Sequence, residues 1–281
     1  MPTKALSLIG FVKDLTTAIH YLKLRCVPEP AKDDDALEAD WRIAQARLGP
    51  PAPSAGNPQM RPISMAEPHI QALLATSWAP RIKSALDQGA SFQMVEIDPL
   101  IAAQITVDLE KSNSQCAGLS HPPTYDQMMR LCLPFELASG AVQLSQQPQS
   151  IIIKSESLNL VIGAQGPMPF AAHVVGVNVG WVLPFVHVAR LNGRCLLHNG
   201  YNRTVGARLA GATEVPCLFR DVPDAAAAGF DQSHTVEEAL LMSDNPPTIG
   251  HFARGSAFEV QLRRTIRLIE VNWSQHQMYD E

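Results

Sequence analysis

With 281 residues, 46% hydrophobic and 17% charged, the chain can bury one large core or two small ones and has the composition of a folded globular protein. Its formal net charge of −5 argues against a broad nucleic-acid-binding surface, which is usually markedly basic, and leaves room for a local basic patch only. Cys26, Cys116, Cys132, Cys195 and Cys217 are odd in number, widely spaced and without a CxxC pair, which predicts reduced thiols in a cytoplasmic setting.

The N-terminal apolar run Leu6 to Val12 is broken by Lys13 and Asp14 and lacks a small-residue cleavage site, so it does not read as a secretory signal. No segment reaches the roughly 18 apolar residues of a membrane span, and no membrane partner is expected. Leu8, Val12, Leu15, Ile19 and Leu22 recur at spacings of three and four and predict an amphipathic helix ending before Pro28. Asp33 to Asp35 start a second helix with the apolar stripe Leu37, Trp41, Ala44 and Leu48, stopped by Gly49-Pro50-Pro51. Two readings fit residues 1–48: a helical subdomain packed on the main body, or an arm for self-assembly or partner docking. Residues 49–67, rich in Pro, Ala and Gly, read as a linker.

Residues 68–281 read as one α+β domain. Pro68 to Gln88 predicts a helix that Pro80 kinks or splits, Phe92 to Ile97 a strand, Pro99 to Leu109 a helix, and Tyr125 to Leu137 a helical patch in an otherwise polar, proline-punctuated stretch. Ser157 to Ile162 predicts a strand, Gly163 to Pro169 a loop, and Val174 to Val177 and Phe185 to Ala189 further strands. Gly193 to Phe219 is the most informative stretch. It reads as a strand (Arg194 to Leu197), an Asn199-Gly200 turn, a helix (Asn202 to Leu209), a Gly211 stop and a strand (Val215 to Phe219). Ala225 to Met242 is a helix-containing connection, and Phe258 to Trp273 an alternating strand with Phe258, Val260, Leu262, Ile266 and Leu268 on one face, which Arg264 breaks, and Arg263 and Arg267 on the other.

A glycine turn feeding a helix N-terminus presents unpaired N–H groups and a positive dipole end, which suits a phosphate, and Arg203 in the first turn adds a fixed charge. Gly200-Tyr201-Asn202-Arg203, followed by Ala210-Gly211-Ala212-Thr213-Glu214-Val215-Pro216, resembles the Gly-x-x-Arg turn, short helix and TEVP-like strand of ParB-like and sulfiredoxin-like domains. A weaker likeness lies upstream, where Val95-Glu96-Ile97-Asp98-Pro99-Leu100 and then Gln104 look like the family's opening element.

The resemblance implies a ParB/sulfiredoxin-like mixed-sheet fold and a bacterial protein that binds a nucleotide or nucleic acid, in a setting such as anti-phage defence or plasmid maintenance. Asn199, Gly200, Tyr201, Asn202 and Arg203 would hold the phosphate, and Gln104 would lie near the base or nucleotide. If phosphate-ester chemistry is carried out, as by a nuclease or nucleotide hydrolase, His198, Glu96 or Asp98 would be the titrating group. One of the acids Glu96, Asp98, Asp108 or Glu110 would then hold a Mg²⁺ ion beside the nucleotide.

The departures from the family pattern cut against catalysis. Asn199 and Asn202 stand where relatives often carry an acid and a His or Arg, and an amide is no general base. Tyr201 stands where the reactive cysteine of sulfiredoxin would fall. No helix-turn-helix domain is legible after Arg220, so centromere binding is not expected. The alternative is a catalytically degenerate binding or scaffold subunit that assembles with itself or a partner through the N-terminal helices. The enzyme reading requires a titratable residue and a metal-binding acid to converge on Gly200. No zinc-ligand spacing, Walker motif or nucleophile elbow occurs in the sequence.

Overall fold

The computed structural model describes residues 2–25, 32–49, 54–136, 142–155, 160–171, 174–228, 236–263, 267–272 and 274. The chain divides into two units, Met1–Phe135 with Phe185–Arg264, and Glu136–Pro184 with Thr265–Glu281. The class is mixed α+β, as expected from the element pattern.

The first unit opens with β1 (Thr3–Ser7), a 3-10 turn at Ile9–Phe11, α1 (Leu15–Arg25) and α2 (Asp34–Ala46). The helix expected from Leu8 therefore begins at Leu15. Leu8 and Ile9 are wholly buried, so they are core residues all round and no longer one stripe of a helix. Asp14 sets the start, its Oδ2 accepting a hydrogen bond from the Thr17 N–H at 2.6 Å. Asp33 caps α2 in the expected way, accepting from the Ala36 N–H at 2.9 Å.

β2 (Met60–Pro62), α3 (Pro68–Leu74), α4 (Ala79–Asp87) and β3 (Ser91–Glu96) follow. The helix is split, but ahead of Pro80: α3 ends at Leu74 and α4 begins at Ala79, with Pro80 in its first turn, where its missing N–H costs nothing. Pro99 to Leu109 is not a helix. It forms β4 (Ile101–Ala102) and β5 (Thr106–Asp108), and only then does α5 (Leu109–Cys116) begin, capped by Asp108. Leu100, Ile101, Ala102, Ile105 and Val107 are all buried, and periodicity cannot separate such a continuous apolar run from a helix. α6 (Tyr125–Cys132) carries a capping box made by Thr124 and Gln127.

β6 (Val142–Gln147), β7 (Ser150–Ser155), β8 (Leu160–Ala171) and β9 (Val174–Trp181) belong to the second unit. The expected loop at Gly163 to Pro169 lies inside β8. A register shift between Ile162 and Pro167 accommodates the prolines, which cannot donate to a ladder.

The first unit resumes with β10 (His187–Leu191), β11 (Arg194–Asn199), α7 (Tyr201–Leu209) and β12 (Glu214–Asp221), the order expected for this stretch. It closes with α8 (Glu238–Leu241), α9 (Ile249–Ala253) and β13 (Phe258–Leu262), and β14 (Arg267–Asn272) returns to the second unit. The single strand expected over Phe258 to Trp273 is thus two: β13 pairs with β1, and β14 pairs with β7. Cys26, Pro28, Pro50, Pro51, Leu137, Ser157, Arg264, Ile266 and Trp273, which carried parts of the sequence reading, lie outside the described residues.

The first unit holds a six-stranded sheet in the order β2-β3-β12-β10-β11-β4 and a three-stranded sheet β13-β1-β5. One face of the larger sheet presents Val186, Val188, Leu197, Val215 and Cys217 to the main core, which also takes in Tyr201 and Val205 of α7 and Leu22, Leu37 and Ala44 of the N-terminal helices. Ala189, Leu191 and Leu196 alternate to the other face and pack with Val222, Ala228 and Leu241. Residues 54–67, expected as linker, dock on this unit: the Gly56 N–H donates to Pro99 O at 2.7 Å and β2 pairs with β3. The second unit has its own small sheet, β14-β7-β6, the hairpin β8-β9 and a core of Ile153, Leu160 and Ile269.

α5 and α7 cross closely at Gly206. A Cβ there would lie 2.5 Å from Cys116 Sγ and 3.0 Å from Ser112 O. Gly206→Ala gains helix propensity of about 1 kcal/mol but must push α5 away, and overpacking of this kind costs about 1–3 kcal/mol. The expected outcome is a lower urea midpoint at unchanged m-value, measured by far-UV circular dichroism.

Candidate functional site

The turn from β11 into α7 is made by one residue. Gly200 is left-handed at φ 93°, and a Cβ would lie 2.7 Å from Val186 Cγ2 and 3.1 Å from Val186 Cα, so only glycine fits. Asn199 braces the turn. Its Oδ1 accepts from the Gly200 N–H at 2.8 Å and its Nδ2 donates to Phe185 O at 3.1 Å. No side chain caps the N-terminus of α7, a nine-residue helix.

Tyr201 is a core strut and points away from solvent. Its hydroxyl donates to Leu197 O and accepts from the Gln104 N–H at 3.1 Å, and burial raises its pKa. Gln104, expected near a base or nucleotide, meets the Tyr201 hydroxyl through its backbone, and its Nε2 donates to Thr106 O at 2.6 Å. Arg203 extends to the C-terminal end of α6, where Nη1 donates to Leu131 O at 3.2 Å. Burial lowers its pKa, but the guanidinium stays cationic at any working pH. Cys116 Sγ sits 3.8 Å from the Arg203 carbonyl, and burial pushes its thiol up to about 11 and that of Cys132 to about 12, so neither is an activated nucleophile. Two side-chain oxygens of the first turns of α7, Asn202 Oδ1 and Thr204 Oγ1, are shielded from solvent and have no hydrogen-bond partner among the described residues.

The three residues named for catalysis do not converge here. Asp98 lies at the opposite end of α7, held bidentately by Arg208 (Nε–Oδ1 2.5 Å, Nη2–Oδ2 3.1 Å) and by Arg254 at 3.0 Å. Burial alone would raise its pKa; the hydrogen bonds from Arg208 and Arg254 outweigh burial and hold the carboxyl below its usual range. Glu96, on β3 across from Glu214 of β12, accepts from the Gln59 N–H at 3.2 Å. Of the other acids named for Mg²⁺, Asp108 is spent on capping α5, and Glu110 Oε1 accepts from the Lys4 N–H at 3.2 Å. Among the described residues no group of three or more His, Cys, Asp or Glu is placed to hold a metal ion.

His198 is one residue from Asn199 but faces the other side of the sheet. It is the extra residue of a β-bulge in β11, where His187 pairs with Asn199 and Val188 with Leu197. Its Nδ1 lies 2.7 Å from Ala228 O, and its ring stacks on that of His187 at 6.2 Å between centroids and 30° between planes. His187 was not singled out from the sequence. The Asn192-Gly193 turn, with φ of 50° and 80°, is a strong hairpin signal and was the cue for it, since a tight turn there pairs Leu191 with Arg194 and brings 187 beside 198.

Asp98 yields a stability prediction. A carboxylate whose folded pKa is depressed stabilises above its unfolded pKa of about 3.9, and that stability is lost as pH falls through the folded value. Asp98→Asn leaves Arg208 and Arg254 without their counterion and is expected to cost about 1–3 kcal/mol at neutral pH. It should also flatten the acid limb of the stability curve below about pH 4, read from urea midpoints against pH.

Comparisons with family models, with curated proteins and with solved structures gave no match to this chain.

Proposed function

We propose that this chain is a nucleotide- or nucleic-acid-binding module of ParB/sulfiredoxin-like architecture in which α7 receives a phosphate and no carboxylate-assisted hydrolysis takes place. The observation that carries the reading is the uncapped N-terminus of α7 behind a left-handed glycine, with Arg203 fixed in its first turn. The unpartnered Asn202 Oδ1 and Thr204 Oγ1 add to it, because buried polar atoms without partners mark sites completed by something else. The run of strand, left-handed glycine, short helix, Gly211 stop and Glu214-Val215-Pro216 strand supports the architecture.

The binding reading is preferred to the enzyme reading for one reason. The nearby acids are used elsewhere, Asp98 by two arginines and Asp108 by a helix cap, while Asn199 and Asn202 cannot act as bases. A Mg²⁺ ion at this turn would be held by the nucleotide's own phosphates and water.

The test is a thermal-shift screen of ATP, CTP, GTP, ADP and short oligonucleotides, with and without Mg²⁺, on wild type and Arg203→Ala. At one hundred times its Kd a ligand stabilises by about 2.7 kcal/mol, a rise of several degrees. One nucleotide class should shift the wild type and not the folded variant, without turnover. Absence of any shift would overturn the binding reading, and hydrolysis of the bound ligand would restore the enzyme reading.

A further inference from the structure

We infer that His187, His198 and Arg220 form a second, proton-coupled site for a small oxyanion, on the face of the large sheet opposite α7. His187 continues the row Ala189 and Leu191, Arg220 alternates away from the core-facing Phe219, and His198 reaches Ala228, which packs on that same face. The site is built and braced. Alternation after Leu196 and Leu197 puts His198 on this face, where its ring stacks on that of His187. Two successive carbonyls of one turn then fix the other groups: Ala227 O accepts from Arg220 Nη2 at 2.7 Å and Ala228 O lies 2.7 Å from His198 Nδ1. That turn is itself closed by Asp224, whose Oδ1 accepts from the Ala227 N–H at 2.8 Å.

Among the described residues the centre has no counterpart of opposite charge. The charged groups acting on His187 are His198 from β11, Arg220 from β12 and Arg203 from α7, all basic. Of the described acids on the adjoining segments, Asp221 is held by a bidentate pair with Arg190 at 2.6 and 2.9 Å and Asp224 by its turn. His187 Nε2 is shielded from solvent and has no hydrogen-bond partner among the described residues. A cation would meet Arg220; an oxyanion would meet a guanidinium and one or two ring N–H donors.

Burial, then the neighbouring bases, lower His187 to about 3, and burial lowers His198 as well, so both rings are neutral in the empty site at neutral pH. A bound dianion reverses the sign of the local field and favours the imidazolium. Binding should take up a proton and tighten as pH falls.

The probe is sulfate, whose own charge does not change between about pH 6 and 8, so any proton taken up belongs to the protein. Titration calorimetry of the full chain in buffers of different ionisation enthalpy counts that proton. The expected result is sulfate binding at least roughly tenfold tighter at about pH 6 than at about pH 8, with net proton uptake. His187→Phe keeps a ring in the stack but removes both nitrogens and should abolish the pH dependence; Arg220→Gln, at an exposed position, should weaken binding at every pH. Binding without proton uptake, binding indifferent to both variants, or no binding by the folded wild type overturns the proposal. A competition arm with a 5′-phosphorylated oligonucleotide separates the sources of the anion. Displacement of sulfate assigns the site to nucleic-acid phosphate, and sulfate that stays bound assigns it to a free oxyanion; either upholds the site. Arg203 acts on His187 as well, so the two sites are separated by Arg220→Gln and His187→Phe: nucleotide shifts that survive both variants belong to α7, and sulfate binding that both alter belongs to this site.

Discussion

Asp98 is the fastening on which the first unit depends. One partly buried carboxylate takes three hydrogen bonds from two guanidiniums, and so ties the crossing from β3 to β4 to the end of α7 and the end of α9. The backbone joins in, since the Gly250 N–H donates to Asp98 O at 3.2 Å. At its other end α7 is set by Gly200 against Val186, where there is no room for a side chain. A short helix has little stability of its own. Fixed at both ends and approached by α5 at Gly206, this one has an axis decided by its surroundings, and the direction of its first-turn N–H groups follows.

The same arrangement segregates charge. Acids and their arginine partners collect around the C-terminal end of α7, with Asp98, Arg208 and Arg254 together. Around the N-terminal end and across the sheet lie Arg203, His187, His198 and Arg220, with amides where relatives of the resembled family place charged or titrating groups. Neutral amides at Asn199 and Asn202 let the turn fold without a counterion. They also leave it without a base. Whatever this end of the molecule recognises, its chemistry is that of donors and cations.

The stretch from Arg194 to Asp221 was legible in the sequence because local rules agree there: Asn-Gly and Ala-Gly punctuate it, the helix is short and the strands are apolar on both sides. Pro99 to Leu109 was misread for the opposite reason. A run buried on every side has no polar face, and periodicity then carries no information. The early helix was extended through Leu8 because core burial and an apolar stripe look alike over one turn, while Asp14, the actual start signal, was read only as an interruption. At the candidate site the residues of the turn were visible and their partners were not. That Asp98 belongs to Arg208 and Arg254 depends on contacts 110 and 156 residues apart in the chain. His198 takes the far face by plain alternation after Leu196 and Leu197, but which residue it meets there depends on the pairing with β10, a long-range contact.

The topology also sets an order on synthesis. β1 is made before β13, yet its longer ladder is with β13, from Thr3 opposite Leu262 to Ser7 opposite Phe258. The central strand β12 supplies partners to both β3 and β10, so the large sheet has no middle until residue 221 has been made. The second unit waits longer still, because β7 lacks one of its two neighbours until β14 is complete. At roughly 5–20 residues per second, the first strand stands without that partner for on the order of tens of seconds on the ribosome.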